Sequence, residues 1–415
     1  MDVPKSKMLG MFLLCILSLM RISSANVWLK DDYYWNELTF AWPTPEFKAD
    51  AIKTNSYIPQ NNLPYGVAIW KDKIFITIPR LKPGVASTLN YITVGTDVSP
   101  ALKPYPSWDL TYIPASMEKL KDNSTVVSVF RVWVDKCDRL WVLDSGSIDF
   151  FENFQDAPEP SILIYDLNTD TLIRRYYFDG LDLTVDSILA NIVVDAPGDC
   201  ADAFAYVADS GGNSLIVYSL KSNSSWRVDH FFFNFDPLAG NYTVGGINFQ
   251  WADGVAGVAL GDAQADGSRR VYFHPLSSTK EFEVSNKILQ NETAATSESN
   301  FHDFKVVGDR GNNSQAAASY YDKNTKILFY TQVNRDGVSC WNTMKTLTPE
   351  NTAMFGHCPE VLQFPNDVKI DKAGMIWVLS NRLPRFQKSE MNSSDTNYRI
   401  LSVSIQEAIN GTVCV

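Results

Sequence analysis

Histidine is nearly missing from this chain. Four are present in 415 residues, at 230, 274, 302 and 357, and they are scattered. There is no HExxH string and no group of three histidines, so zinc-peptidase and copper-oxidase chemistry finds no support. Six cysteines occur, but none as a CxxC pair, which argues against a structural zinc site. No GxSxG elbow marks a serine hydrolase. The GDRG string at 308–311 has the look of a phosphate turn, yet no P-loop spacing follows, and it reads as an ordinary turn. Helical periodicity is scarce, with residues 118–122 and 404–409 the best short candidates. Positive charge is in deficit: 36 Lys and Arg against 47 Asp and Glu give a net charge of −11. An acidic surface disfavours nucleic acid and anionic membrane as partners and attracts small cations weakly, besides keeping the chain soluble.

Long apolar runs are also absent, save one. Lys5 and Lys7 precede an apolar stretch from 8 to 20, and Ser23 and Ala25 supply the small residues of a cleavage site. Residues 1–25 therefore read as a secretory signal peptide, too short to span a bilayer comfortably. Its removal takes three positive charges and one negative, leaving −13 on residues 26–415. With no linker long enough to divide it, this mature portion is expected to be one soluble, extracellular domain. Seven Asn-x-Ser/Thr sequons, at Asn123, Asn223, Asn241, Asn291, Asn312, Asn392 and Asn410, fit N-glycosylation of surface loops. An oxidising compartment implies disulfides among the five remaining cysteines. Cys137 and Cys200 lie in the turns of consecutive repeats and make the first choice for a bridge. Cys340 and Cys414 are the second pair, tying the last part of the fold to the C-terminus. Cys358 is then left over.

What the chain has in abundance is one repeated pattern. Residues 130–146 read FRVWVDKCDRLWVLDSG: two runs of aromatic and β-branched residues around a polar turn, the mark of a tight antiparallel hairpin. The plan returns near residues 67, 192, 255, 316 and 368. Its second-strand aromatic recurs at Phe75, Trp141, Tyr206, Tyr272, Phe329 and Trp377, in steps of 66, 65, 66, 57 and 48. A unit of that size holds a four-stranded blade, with outer strands at 161–166 and 171–178 in the second repeat and 214–219 and 226–232 in the third. Blades bury both faces only when stacked in a closed ring. The fold class is thus all-β, a six-bladed β-propeller with long surface loops, 286–300 among them. Residues 28–45 are expected to complete a blade and close the ring.

A propeller gathers the starts of its innermost strands at one mouth of a central channel. Aligning the repeats puts Asn62, Tyr65, Phe130, Trp251, Asp253, Ser314, Gln315, Asn366 and Asp367 there. Carboxylates suit an ammonium group, amides suit hydroxyls, and rings stack, so the set fits a small polar aromatic ligand. The plainer reading is that Asp and Asn at strand starts close turns on their own backbone. A calcium site would draw on Asp253, Asn366 and Asp367, but a Glu near the first inner strand is lacking. No metal and no cofactor is called for. His274, at an inner-strand end, is the one histidine with a possible acid–base role.

Several strings resemble the yellow / major royal jelly protein family of insects. They include NNLPYGVAIWKDKIFITIPRLKPGVASTLNYI at 61–92, DKCDRLWVLDSG at 135–146, DPLAGNYTVGGINFQWADGVAGVAL at 236–260 and FPNDVKID at 364–371. The GGINFQW run at 245–251 is closer to yellow proteins than to royal jelly proteins. The resemblance implies a secreted six-bladed propeller with a role in cuticle pigmentation and melanin chemistry. It implies conversion of dopachrome by some relatives, binding of amines such as serotonin or dopamine in the central channel by others, and a nutritive role for the royal jelly branch. The ligand it implies is an aromatic amine or a catechol- or indole-derived molecule. Dopachrome tautomerisation needs one base and a hydrogen-bond donor beside the ring oxygens, with Asp253 or Asp367 as the base. No feature of the sequence sets the oligomeric state.

Overall fold

The computed structural model describes residues 29–95, 97–114, 116–151, 155–156 and 159–415; the expected leader lies outside these residues. The opening hairpin shows how the repeat builds itself. Asp135 sits at the turn, and its Oδ1 accepts the backbone N–H of Cys137 at 2.9 Å and of Arg139 at 3.0 Å. Its Oδ2 accepts from Arg139 Nε at 2.7 Å and from the Trp141 indole at 2.8 Å. One carboxylate therefore closes the turn and fixes the core aromatic of the second strand. The last repeat does the same: Asp371 Oδ1 accepts from Ala373 and Met375, and Oδ2 from the Trp377 indole at 2.9 Å. All six second-strand aromatics are buried.

Strand β1 (Lys30–Trp35) comes first. Blade one follows with β2 (Gly66–Trp70), β3 (Lys73–Thr77), β4 (Leu89–Thr93) and β5 (Lys103–Pro104). Blade two has β6 (Val129–Val134) and β7 (Arg139–Asp144), a short pair β8 (Ser147–Ile148) and β9 (Gln155–Asp156), then β10 (Ser161–Asp166) and β11 (Thr171–Tyr177). Blade three has β12 (Leu189–Asp195), β13 (Phe204–Asp209), β14 (Ser214–Ser219) and β15 (Ser224–Asp229). A hairpin of β16 (Asn241–Val244) and β17 (Ile247–Gln250) leads into blade four: β18 (Val255–Ala263), β19 (Arg269–Pro275), β20 (Lys280–Ser285) and β21 (Lys305–Asp309). Blade five has β22 (Ser319–Asp322), β23 (Ile327–Gln332), β24 (Gly337–Asn342) and β25 (Thr352–His357); blade six has β26 (Pro365–Ile370), β27 (Met375–Ser380) and β28 (Tyr398–Ser404). Six four-stranded sheets result, and the protein is a six-bladed β-propeller.

The innermost strands β2, β6, β12, β18, β22 and β26 each touch the next, and β26 returns to β2. The ring is sealed at its outer edge by β1, which pairs antiparallel with β28 and supplies the fourth strand of blade six. The segment expected to close the ring does so. Cys137–Cys200 joins the turns of blades two and three, and Cys340–Cys414 ties β24 to the C-terminus. Cys358 is not left over: the described residues contain no free cysteine.

Some expectations need correction. Residues 286–300 form no open loop between repeats. They lie inside blade four, between its third and fourth strands, as short helices α2 (Asn286–Leu289) and α3 (Glu292–Ala295) plus a 3₁₀ turn. The Ser285, Asn291 and Ser297 side chains cap their starts, so residues that read as loop-formers are helix caps. Helix α1 (Pro45–Lys53) went unforeseen. Thr44 caps it, and Phe47 packs among Trp42, Trp108 and Tyr112. The 404–409 segment is a helix over Ile405–Ile409 with a complete capping box from Ser404 and Glu407. The 118–122 segment is a 3₁₀ turn over Glu118–Lys121.

Candidate functional site, an axial cup

The axis of the ring is not an open tube. Arg131 leaves β6 of blade two, 2% exposed, and reaches across the axis. Its Nη1 donates to the Ala317 carbonyl at 3.2 Å, on the approach to blade five, and its Nη2 donates to the Asn366 carbonyl of blade six. Two residues further along, Trp133 of blade two stacks on Tyr320 of blade five, with centroids 5.4 Å apart and planes 17° from parallel. Beside them Lys369 Nζ is 2.7 Å from Asp367 Oδ1. These cross-links close the channel and leave a cup above.

The cup has a volume of about 120 Å³. That is the scale of a cavity of ~150 Å³ able to take up benzene, so a ring-sized ligand fits. Tyr65, Phe130, Trp251, Asp253 and Asn366, all expected at the channel mouth, do line it. With them come Arg131, Phe150, Phe151 and Phe364, which the repeat alignment missed. The walls are aromatic and mutually braced: Tyr65 and Phe130 meet edge to face at 5.0 Å, and Trp251 and Phe364 at 5.6 Å. Asn366 donates its amide to the Tyr65 carbonyl, joining blade six to blade one beneath the wall. A second cavity of about 320 Å³ adjoins the cup, sharing Phe130, Phe150 and Ile188.

Asp253 is the acidic group of the wall. It follows the β16–β17 hairpin, is partly buried, and its carboxylate has no ion-pair or hydrogen-bond partner among the described residues. Desolvation pushes its pKa from 3.8 up to about 6. Tyr65 is pushed up to about 12, chiefly by burial, so its phenol stays protonated and can donate.

The other residues expected here do not reach the cup. Asn62 is buried and donates to the carbonyls of Ile58 and Gly84, shaping a loop. Gln315 donates to Ala239 at 2.8 Å and to Asn241 at 3.4 Å, and Ser314 donates to the Gly311 carbonyl. Asp367 is fully buried and fully used, accepting from the backbone of Val67 and Val368 besides Lys369. It does not line the cup, and it does not converge with Asp253 and Asn366 on a cation. His274 also stands apart. It is 0% exposed, 2.9 Å from Glu281, which in turn binds Arg310 at 2.5 Å. A Cβ on Gly257 would fall 2.0 Å from its Nε2, so the ring is packed against backbone. Burial lowers its pKa, and its place is structural. Arg310 shows that the GDRG turn carries a buried ion-pair partner. Among the described residues no cluster of three or more His, Cys, Asp or Glu side chains is placed to hold a metal, and no helix is long and apolar enough to cross a membrane.

Comparison with known proteins adds to this. The sequence model for "Major royal jelly protein" matches residues 127–414. "Protein yellow" of Drosophila simulans and of Drosophila melanogaster are each 38% identical over 409 residues, covering 98% of this chain and 74% of theirs. "Dopaminechrome tautomerase" of Drosophila melanogaster is 39% identical over 389 residues, covering 92% of this chain and 83% of its own.

Proposed function

Because the chain belongs to the yellow / major royal jelly protein family, we propose that it works in pigment chemistry by taking up catechol- or indole-derived molecules in the axial cup and isomerising an aminochrome there. One observation carries this reading: Asp253, a carboxylate without a cation, stands in an aromatic wall with its pKa raised to about 6. A base poised near neutrality is what carbon-proton abstraction needs. The step balances without oxidant or cofactor. Asp253 takes a proton from a saturated carbon of the fused five-membered ring. The electron pair moves into the ring system, and a quinone oxygen gains the charge and then a proton, giving a dihydroxyindole. Tyr65, held protonated, is a donor for that oxygen. The relative named as a dopaminechrome tautomerase supports this choice of substrate.

A second reading rests on the same carboxylate. An unpaired Asp253 ringed by Tyr65, Phe130 and Trp251 also suits the ammonium group of dopamine or serotonin without turnover. Incubating purified protein with dopaminechrome and dopachrome separates the two. Loss of the quinone band faster than the uncatalysed rate, abolished by Asp253→Asn, supports the isomerase. Saturable calorimetric binding of dopamine with no product supports the binder. We further infer that the protein is secreted and glycosylated: all seven sequon asparagines are exposed on the surface. Glycosidase treatment of protein collected from culture medium tests both.

A further inference from the structure

Arg131 makes the floor of the cup as well as the plug of the channel. Three facts set it apart. It is 98% buried yet lines the cavity. Each of its two terminal nitrogens donates one N–H to a carbonyl across the axis and keeps a second, while its enclosed Nε–H finds no acceptor among the described residues. Among the described residues it has no carboxylate of its own: Asp367 is 2.7 Å from Lys369 and occupied by backbone amides, and no ion pair joins Asp253 to it. Two cations, Arg131 and Lys369, thus share one anion on the axis. A buried guanidinium with spare N–H groups and only a shared counter-ion is a site for an anionic oxygen.

We propose that Arg131 binds the ring oxygens of the ligand, so that the molecules this cup selects are those with an ionised or ionising catechol or quinone oxygen. The inference rests on the reading of the cup as a catechol and aminochrome site, and it adds which end of the ligand points inward. The ring oxygens go down to Arg131 on the axis, and the rest of the ligand lies against Asp253 and the aromatic wall. In the isomerisation, Arg131 then meets the charge that develops on the quinone oxygen as Asp253 removes the carbon proton. The same contact selects catecholates in the absence of any turnover.

4-Nitrocatechol is the probe, because its catecholate absorbs in the visible and reports ionisation directly. Wild-type protein is expected to bind it with the catecholate band present below the pH at which the free compound ionises. Arg131→Gln is expected to weaken binding at least about 30-fold and to lose the band shift. Where aminochrome turnover is seen, Arg131→Gln lowers kcat by about 10²-fold, the loss typical of one removed oxyanion donor. Undiminished nitrocatechol binding by a folded Arg131→Gln variant overturns the proposal, as does failure of wild type to bind the probe. Should Arg131→Gln not fold, wild type decides alone: at least 10-fold preference for nitrocatechol over nitrobenzene sustains the proposal, and equal affinity overturns it. If wild type turns over neither aminochrome, the isomerase reading fails while these titrations still judge Arg131.

Discussion

Replacing Asp253 by Asn should disable the protein and stabilise it together. The carboxyl rises from 3.8 to about 6 on folding because it leaves water without gaining a cation. A raised carboxylate pKa means the ionised form is disfavoured in the native state. The penalty is therefore absent below pH ~4, where the group is protonated in both states, grows through pH 4–6, and is complete above 6. Two pH units correspond to at most about 3 kcal/mol at 1.36 kcal/mol per unit. Partial exposure of the side chain scales this to about 1–2 kcal/mol. The isosteric amide never ionises and escapes the penalty. Thermal melts of wild type and variant should thus coincide near pH 4 and separate by about 1–2 °C, variant higher, at pH 7.5. Turnover should fall by about 10²-fold or more in the same variant, and wild-type kcat/KM should rise with pH through about 6. A variant no more stable than wild type at pH 7.5, or a rate flat from pH 5 to 7, refutes the assignment of a desolvated, unpaired base.

Three other perturbations test the frame around the cup. Arg310→Met removes the cation from a fully buried Glu281, which still faces His274; a loss of about 3–5 kcal/mol in denaturant unfolding is expected, and a change below ~1 kcal/mol would show the pair to be dispensable. Replacing Cys137 and Cys200 together by Ser opens a 63-residue loop and should cost about 4 kcal/mol by chain-entropy reckoning. Nitrocatechol binding below the midpoint should survive it, since both cysteines sit in inter-strand turns rather than at the cup. Truncating the chain through Trp35 strips β1 from β28 and bares a sheet edge. The product should aggregate or melt far below the parent, and an unchanged melting curve would mean that β1 does not seal the ring.

The architecture was legible because the repeat carries its own chemistry. Asp135 and Trp141, and again Asp371 and Trp377, stand six apart, and each pair is a carboxylate closing a turn and locking an indole. That local bond survives any change of context, so the period shows through. The mouth of the channel was legible in part for a similar reason: Tyr65, Phe130, Trp251, Asp253 and Asn366 hold equivalent places before or on the inner strands and do converge. Position alone failed to separate Asp253 from Asp367. The two differ in what meets them: Lys369 of the same strand and the Val67 amide of blade one for Asp367, and no partner among the described residues for Asp253. Arg131 was hidden more deeply. Within VFRVWV it looks like a polar residue interrupting a strand, and only assembly of blades two, five and six reveals a guanidinium spanning the axis.

Closure and chemistry meet at one seam. The ring is joined between its first and last blades, on the outside by β1 on β28 and on the inside by Asn366 to the Tyr65 carbonyl and Asp367 to the Val67 amide. Asn381 adds a buried bond to the Pro64 carbonyl at 2.9 Å. Tyr65 and Asn366, which bridge this seam, are also walls of the cup, and Arg131 leans on the Asn366 carbonyl. A loosened seam would therefore shift the floor and one wall together. Within a closed ring those groups are fixed by partners from three blades, and a guanidinium held that way can face charge on a ligand without rearranging. The need for a preorganised axis thus gives a physical reason for the chain to spend its first strand on blade six.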